Sequence, residues 1–511
     1  MIVYAICLPL AIILGFLVSD PLDRNNDITV AFVLFLLVLP LLLRWYHAWL
    51  ITVWNMSITF IFLPGLLPGW MPVACIAFAV ALGHYALNRE RKFLQTTSIS
   101  WSLIFLAVVV LVTAKLRGGL GFHAFGDEAI GGKRYLWIWV AIAGYFALIS
   151  QPIPPKKRKL YTTLFVVSAG SALFADIAAH GGPFFGFLNI FFPTGPMAAE
   201  SPVGDPMIER LGGVAVASSA VVFTLVARYG IEGVLDLRKL WRPMLFFSAL
   251  VCCAFGGYRS TVILVGMTLV LAFCFEGLLR SRLMPAALLG ILLLGGLTIS
   301  FSDRLPLSFQ RCLAFLPVKI DEGVRLNAEG SSDWRLDMWR NLTPQIPKYL
   351  LLGKGLTFDA NDMQMYAEVG NYTAGGEVGG AASLASDYHN GPLSLIIPFG
   401  IWGTIGFLWF LVASFKLLWA NYKYGDPDLR KTNAFLLAYF IAKMILFFFV
   451  FGGFYGDLAV FTGMVGFSAS LNGGIAKPAP APVIADSRPR IAFSRFRPLP
   501  AGGPVTTHQN V

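Results

Sequence analysis

Long blocks of apolar residues recur along almost the whole chain, beginning with 2–18 and 28–43. A bilayer core is roughly 30 Å thick, and an α-helix rises about 1.5 Å per residue, so blocks of this length approach what a membrane span requires. Lipid offers no hydrogen-bond partner, which leaves helix as the form that satisfies its own backbone. Composition agrees: of 511 residues 57% are hydrophobic and 13% charged, and mean hydropathy is +0.69. These values exclude a disordered chain, a disulfide scaffold and an ordinary soluble enzyme. The chain reads as an all-α integral membrane protein.

Fourteen spans are expected, at about 2–18, 28–44, 46–66, 70–87, 100–114, 135–151, 160–178, 212–228, 239–256, 261–278, 283–301, 391–418, 433–450 and 453–470. With the N-terminus in the cytoplasm, the cytoplasmic turns hold eighteen lysines and arginines and the short outer loops seven. That asymmetry is the positive-inside pattern, and loop 115–134 runs against it. It also accounts for the net charge of +11 without nucleic acid. Four regions follow: a transmembrane bundle over 1–301, a large periplasmic segment over 302–390, further spans over 391–471 and a proline-rich cytoplasmic tail over 472–511 resting on membrane lipid. Residues 2–18 read as a retained span and not a signal peptide. Loop 179–211, with Phe184, Phe185 and Phe187, is expected at the headgroup level.

Segment 302–390 is where chemistry has room, since long loops in compact proteins are commonly functional. It carries eight basic and eleven acidic residues, so its arginines are not a general basic coat. The stretch 331–342 reads as an amphipathic helix capped by Ser331 or Ser332, with Asp333 in its first turn and Pro344 closing it. Arg335 and Trp339, four apart, share a face. Leu350 to Gly355 form a glycine turn, and 370–380 is glycine-rich enough for a flap. Asn390 and Pro392 suit the N-cap and first turn of the next span. His389 then stands at the mouth of a membrane helix, whose dipole favours the neutral imidazole, while a nearby Asp387 favours the charged one.

Arg259 begins another span at the membrane plane. It either snorkels to headgroups or pairs with a loop arginine to grip a phosphate anchored in lipid. Arg335 has a local alternative in Asp333 or Asp337, and Trp334 and Trp339 have packing. Five cysteines sit in apolar blocks and Cys312 in a loop. No disulfide or metal-ligand spacing stands out, so no metal and no cofactor is expected.

The order of motifs resembles the O-antigen ligase and O-unit polymerase superfamily. It runs from Arg259-Ser260 at a span end, through Trp334-Arg335-x-x-x-Trp339, Leu351-Leu352-Gly353-Lys354-Gly355 and His389-Asn390, to a span opening on Leu393 and passing through Pro398 and Gly400. The resemblance covers about 210–420. It implies a GT-C-like helical fold and an inverting, metal-independent glycosyltransferase. The donor would be a glycan on undecaprenyl diphosphate, and the acceptor a lipid A core, a growing glycan or another hydroxyl. It further implies that arginines hold the diphosphate and a histidine activates the acceptor. Arg259 matches the first arginine and His389 the histidine, and the second arginine is Arg304, Arg311 or Arg335. Arg304, Arg311, Asp387, Asn390 and Trp339 are the substrate-binding candidates. The competing classes are a transporter or flippase of lipid-linked glycan and a non-catalytic export partner. A transporter calls for polar groups at mid-membrane and related halves. Only Lys443 lies deep in a span, and no internal repeat is visible.

Overall fold

The computed structural model describes residues 24–60, 67–88, 93–118, 132–193, 211–356 and 388–478. The side chains of 24–28, 30, 31, 331 and 334 lie outside the description, as do the expected span 2–18, Asp387, the glycine-rich stretch and nearly all of the tail. The chain divides into two compact units, 1–477 and 478–511. The account below concerns the first.

Helices dominate. In order they are α1 (Arg24–Arg44), α2 (Tyr46–Val53), α3 (Trp70–Leu87), α4 (Thr97–Arg117) and α5 (Gly132–Leu148). Next come α6 (Arg158–Val167), joined through a 3-10 turn to α7 (Leu173–His180), then α8 (Gly212–Val234), α9 (Trp241–Ala254), α10 (Arg259–Phe275) and α11 (Leu283–Ser300). The loop segment supplies α12 (Leu307–Leu313), α13 (Glu322–Leu342) and α14 (Ile346–Tyr349). The chain closes with α15 (Gly391–Tyr424), α16 (Arg430–Phe449) and α17 (Phe454–Asn472). Among the described residues eight helices are long and apolar enough to cross a membrane, nine if α1 and α2 count as one bent span. The molecule is therefore a multi-pass helical membrane protein, and among the described residues fewer such helices appear than the fourteen expected, of which 2–18 lies outside the description.

The difference has local causes. The expected span 46–66 is helical only to Val53, and α1 meets α2 at 113°. Trp54 Nε1 donates to Ala459 O and Asn55 Nδ2 to Phe165 O, which turns the chain aside. A short antiparallel pair, β1 (Thr59–Phe60) with β2 (Leu67–Pro68), follows. The expected spans 135–151, 239–256 and 261–278 are the shorter helices α5, α9 and α10.

Burial separates the helices sharply. In α17, 83% of the apolar span is buried, and it packs along α5, α15 and α16 at the centre of the bundle. None of the apolar span of α11 is buried. Lys443 of α16 forms an ion pair with Asp457 of α17 at 2.6 Å, which accounts for its depth in a span. A buried cation is tolerable when matched this way.

α15 is broken near its start. Pro398 has no N–H to donate, and Gly400 adopts φ +62°, so the helical ladder is interrupted. The glycine turn repairs the gap. Lys354 N donates to Ile397 O at 2.8 Å and Gly355 N to Pro398 O at 2.9 Å, while Ile401 N donates to Leu350 O at 2.6 Å. Gly353, at φ +69°, lies so close that a side chain there would collide with the Pro398 carbonyl. From the other side Arg117 Nε donates to Gly353 O at 2.9 Å and Leu356 N donates to the Tyr135 hydroxyl at 2.8 Å. Arg117 is one of the basic residues that run against the charge pattern, and it has a structural task at the turn.

Candidate active site

The second loop helix, α13, organises everything around it. Its sequence is polar, and Ser331 and Ser332 read as a starting cap. The structure corrects this: the helix starts at Glu322, and Asp321 caps it by accepting from Val324 N at 3.2 Å. Ser331 and Ser332 lie mid-helix. The earlier turns are retained by tertiary contact, with Val324 and Ala328 buried four residues apart on one face. Pro344 falls in the 3-10 turn just after the helix end, as expected.

Three arginines reach this helix region in different ways. Arg259 is the first residue of α10, and its Nη2 donates to Ala328 O at 3.1 Å and to Ser332 Oγ at 3.2 Å. Its guanidinium therefore lies along α13. Arg311 of α12 is buried, donating from Nη1 to Gly257 O at 2.7 Å and from Nε to Asn327 Oδ1 at 3.0 Å. It braces the corner from which Arg259 springs. Arg335 stands one turn beyond Ser332, with its guanidinium carbon 5.7 Å from the Phe451 ring centroid. Arg304 is exposed and sits over Phe301 at 5.8 Å. Asp337 pairs with Arg340 at 3.0 Å.

His389 shares the Phe451 ring with Arg335: imidazole and phenyl stack at 4.9 Å between centroids, 25° apart in plane. The residue adopts φ +48°, uncommon for a side-chain-bearing residue and usual at constrained sites. Asn390 caps α15 as expected, accepting from Leu393 N at 3.0 Å. Trp339 Nε1 donates to Tyr388 O at 2.8 Å, so α13 holds the residue just before the histidine. Behind this bond Met338, Leu342, Tyr349, Tyr388, Leu393 and Ile397 form a separate apolar cluster between α13 and α15. Burial, and after it the charge of Arg335, pushes the His389 imidazole down to about 4. A neutral histidine was expected from the helix dipole. The neutral state holds, with burial and Arg335 as its causes.

Arg335 and His389 thus come together at Phe451, Trp339 ties α13 to the residue before the histidine, and Arg259 reaches the same helix one turn before Arg335. Arg311 supports them from beneath, and Arg304 is not brought to the same ring. Cys312, expected in a loop, is instead buried in α12 against Ala254 O, and burial pushes its thiol up to about 11. Phe451 was missed. It lies in the short link between α16 and α17, and its glycine neighbours Gly452 and Gly453 were the only local sign of a tight approach. Lys354, a buried cation beside Tyr349 at 6.0 Å, was noticed only as part of the glycine turn.

No curated protein matches the chain. Residues 244–408 match the family model described as O-antigen ligase. The matched segment runs from α9 into the second half of α15, and contains Arg259, Arg311, Arg335, Trp339 and His389 together with the turn that mends the α15 break. The similarity supports a membrane glycosyltransferase-like role in polysaccharide biosynthesis, with the O-antigen ligase-like segment 244–408 carried on a multi-pass helical frame.

Proposed function

We propose that this protein transfers a glycan from undecaprenyl diphosphate to an acceptor hydroxyl, with inversion at the anomeric carbon. One observation carries the reading. Helix α13 receives Arg259 at Ser332 and, one turn later, presents Arg335 to the aromatic ring on which His389 is stacked. Two arginines that meet α13 within a turn of each other offer planar forks suited to the oxygens of a diphosphate. Arg259 and Arg335 are the clamp in this reading, and Arg311 is a brace.

The chemistry balances without a metal ion. The anomeric carbon–oxygen bond to the diphosphate breaks, and its electron pair leaves with the phosphate oxygen. The acceptor oxygen forms the new glycosidic bond and gives its proton to His389. Arginines held in place before reaction stabilise the growing charge on the leaving group. A bound diphosphate also offsets the charge of Arg335, which raises the basicity of His389 once the donor is present.

The lysine and arginine bias supports a reading in which segment 302–390 faces the periplasm of a bacterial inner membrane and both termini the cytoplasm. Because Cys312 is buried, the orientation is tested at exposed Glu322: a Glu322→Cys protein should react with a charged thiol reagent before the inner membrane is opened. The function is tested with purified protein and a synthetic polyprenyl-diphosphate glycan. A new glycosidic bond formed by wild type and lost in His389→Ala supports the reading. Movement of the lipid-linked glycan across a vesicle membrane without bond formation rejects it.

A further inference from the structure

Beyond His389 the same helix borders a recess of about 470 Å³ lined by Leu336, Trp339, Arg340, Thr343 and Pro344. That volume falls in the ~300–1,000 Å³ range of small-ligand sites. The indole of Trp339 is half-buried and cannot turn freely, because its Nε1 is bonded to Tyr388 O at 2.8 Å. Leu336 and Pro344 add apolar surface beside it. Arg340 and Thr343 stand among them with polar groups: the ion pair to Asp337 engages one of the five N–H donors of Arg340, and the Thr343 hydroxyl donates to Trp339 O at 2.7 Å and keeps its lone pairs for accepting. A fixed aromatic face flanked by apolar atoms and edged with hydrogen-bonding groups fits a sugar ring. The weakly positive C–H face of a pyranose meets the negative face of the indole, and its hydroxyls meet the polar groups.

We infer that this recess holds the acceptor sugar, an assignment that rests on the transfer reaction above. The order of groups along α13 makes the choice between donor and acceptor. Arg259 touches the helix at Ser332, and Arg335 follows within a turn. Trp339 lies seven residues past Ser332 and Thr343 eleven, about 10 and 16 Å along the axis. In an inverting displacement the attacking oxygen approaches from the side opposite the leaving diphosphate, and the base stands next to that oxygen. The recess lies past the diphosphate clamp and is joined by a hydrogen bond to the residue preceding His389. That is the acceptor's side of the reaction.

The test measures two ligands on the same full-length protein in nanodiscs. One is an oligosaccharide released from the surface polysaccharide of the producing cells, followed by saturation-transfer NMR. The other is a short-chain polyprenyl diphosphate. Arg340→Ala should weaken oligosaccharide binding at least fivefold, and Thr343→Trp, which fills the recess, should abolish it. Both should leave diphosphate binding within twofold of wild type. Arg259→Ala should do the reverse. Oligosaccharide binding that is absent in wild type, or unchanged in both recess variants, overturns the assignment. So does a loss of diphosphate binding in the recess variants, which would give the recess to the donor. Unaltered diphosphate binding in Arg259→Ala instead overturns the donor clamp, whatever the recess does. Matching gel-filtration profiles and helical circular dichroism establish that each variant is folded.

Discussion

Two corners of the loop layer use similar residues to opposite ends. At the first, the glycine turn and Arg117 are committed to the protein's own backbone: Gly353 O receives Arg117, and the carbonyls freed at Pro398 receive the turn. At the second, Arg259 reaches α13 at Ala328 O and Ser332 Oγ with Arg311 bracing it from Gly257, and Arg335 and His389 follow on the shared ring of Phe451. The first corner is built to hold a shape, and the second is built to present charge and a proton acceptor. Arginine identity therefore says little about role: Arg117 and the buried Arg311 are taken up by holding carbonyls, while Arg335 lies against the ring on which the histidine stacks.

The comparison implies that substitutions of holding residues reduce stability and those of presenting residues reduce rate. The largest effect is expected for Gly353→Ala. It forces a side chain into a positive-φ position against the Pro398 carbonyl, with a cost on the order of 3 kcal/mol or more. Loss of monodisperse protein on extraction is the readout, and normal yield and melting would show that the turn is not the lock described. Next is His389→Ala, expected to slow transfer by roughly 10²–10⁴-fold while leaving the melting temperature close to wild type.

The arginine pair tests the division most directly. Arg311→Lys should lower stability by about 1–3 kcal/mol through its orphaned buried carbonyl partner and leave the surviving protein active. Arg335→Lys should melt normally and lose rate, since an ammonium lacks the planar fork. The opposite result, a stable but inactive Arg311→Lys, would make Arg311 the second clamp.

A subtler effect lies in the pH profile. The free-enzyme imidazole titrates near 4, so kcat/KM should hold as pH falls through 6.5 and drop only on approaching 4. Arg335→Gln removes the positive neighbour and moves that acid limb upward. It should stop short of 6.5, because burial is the larger cause. An acid limb already at 6.5 in wild type would mean that His389 is solvated or is not the base. The smallest change is expected for Trp339→Phe, which loses the bond to Tyr388 O. Transfer should fall severalfold with little change in melting.

Much of this arrangement was legible from local chemistry. The cap at Asn390 followed from an Asn-Gly-Pro string before an apolar run, and the apolar blocks located most of the long helices. Longer-range features were hidden for definite reasons. The first turns of α13 look like a hydrophilic loop, because Glu322, Asn327, Glu329 and Gly330 obscure the Val324–Ala328 spacing that buries the helix. Segment 46–66 is apolar enough for a span, yet bonds from Trp54 and Asn55 to partners more than a hundred residues away bend it. Phe451 stands 62 positions from His389, and no periodicity connects a ring in an interhelical link to a histidine before a different helix. The motif order brought Arg259 and His389 forward. The distinction between Arg311 and Arg335 needed the buried hydrogen bonds of the first and the ring contact of the second.

The mended break in α15 bears on how such a chain is made. As the ribosome delivers residues 391–424, the ladder at Pro398 is incomplete until segment 350–355 has arrived from the preceding loop to supply its N–H groups. Helix α15 and the loop before it must therefore mature together. Exchange of the loop between related proteins would have to carry the opening turns of α15 with it, because the seam cuts across the helix two turns past its start.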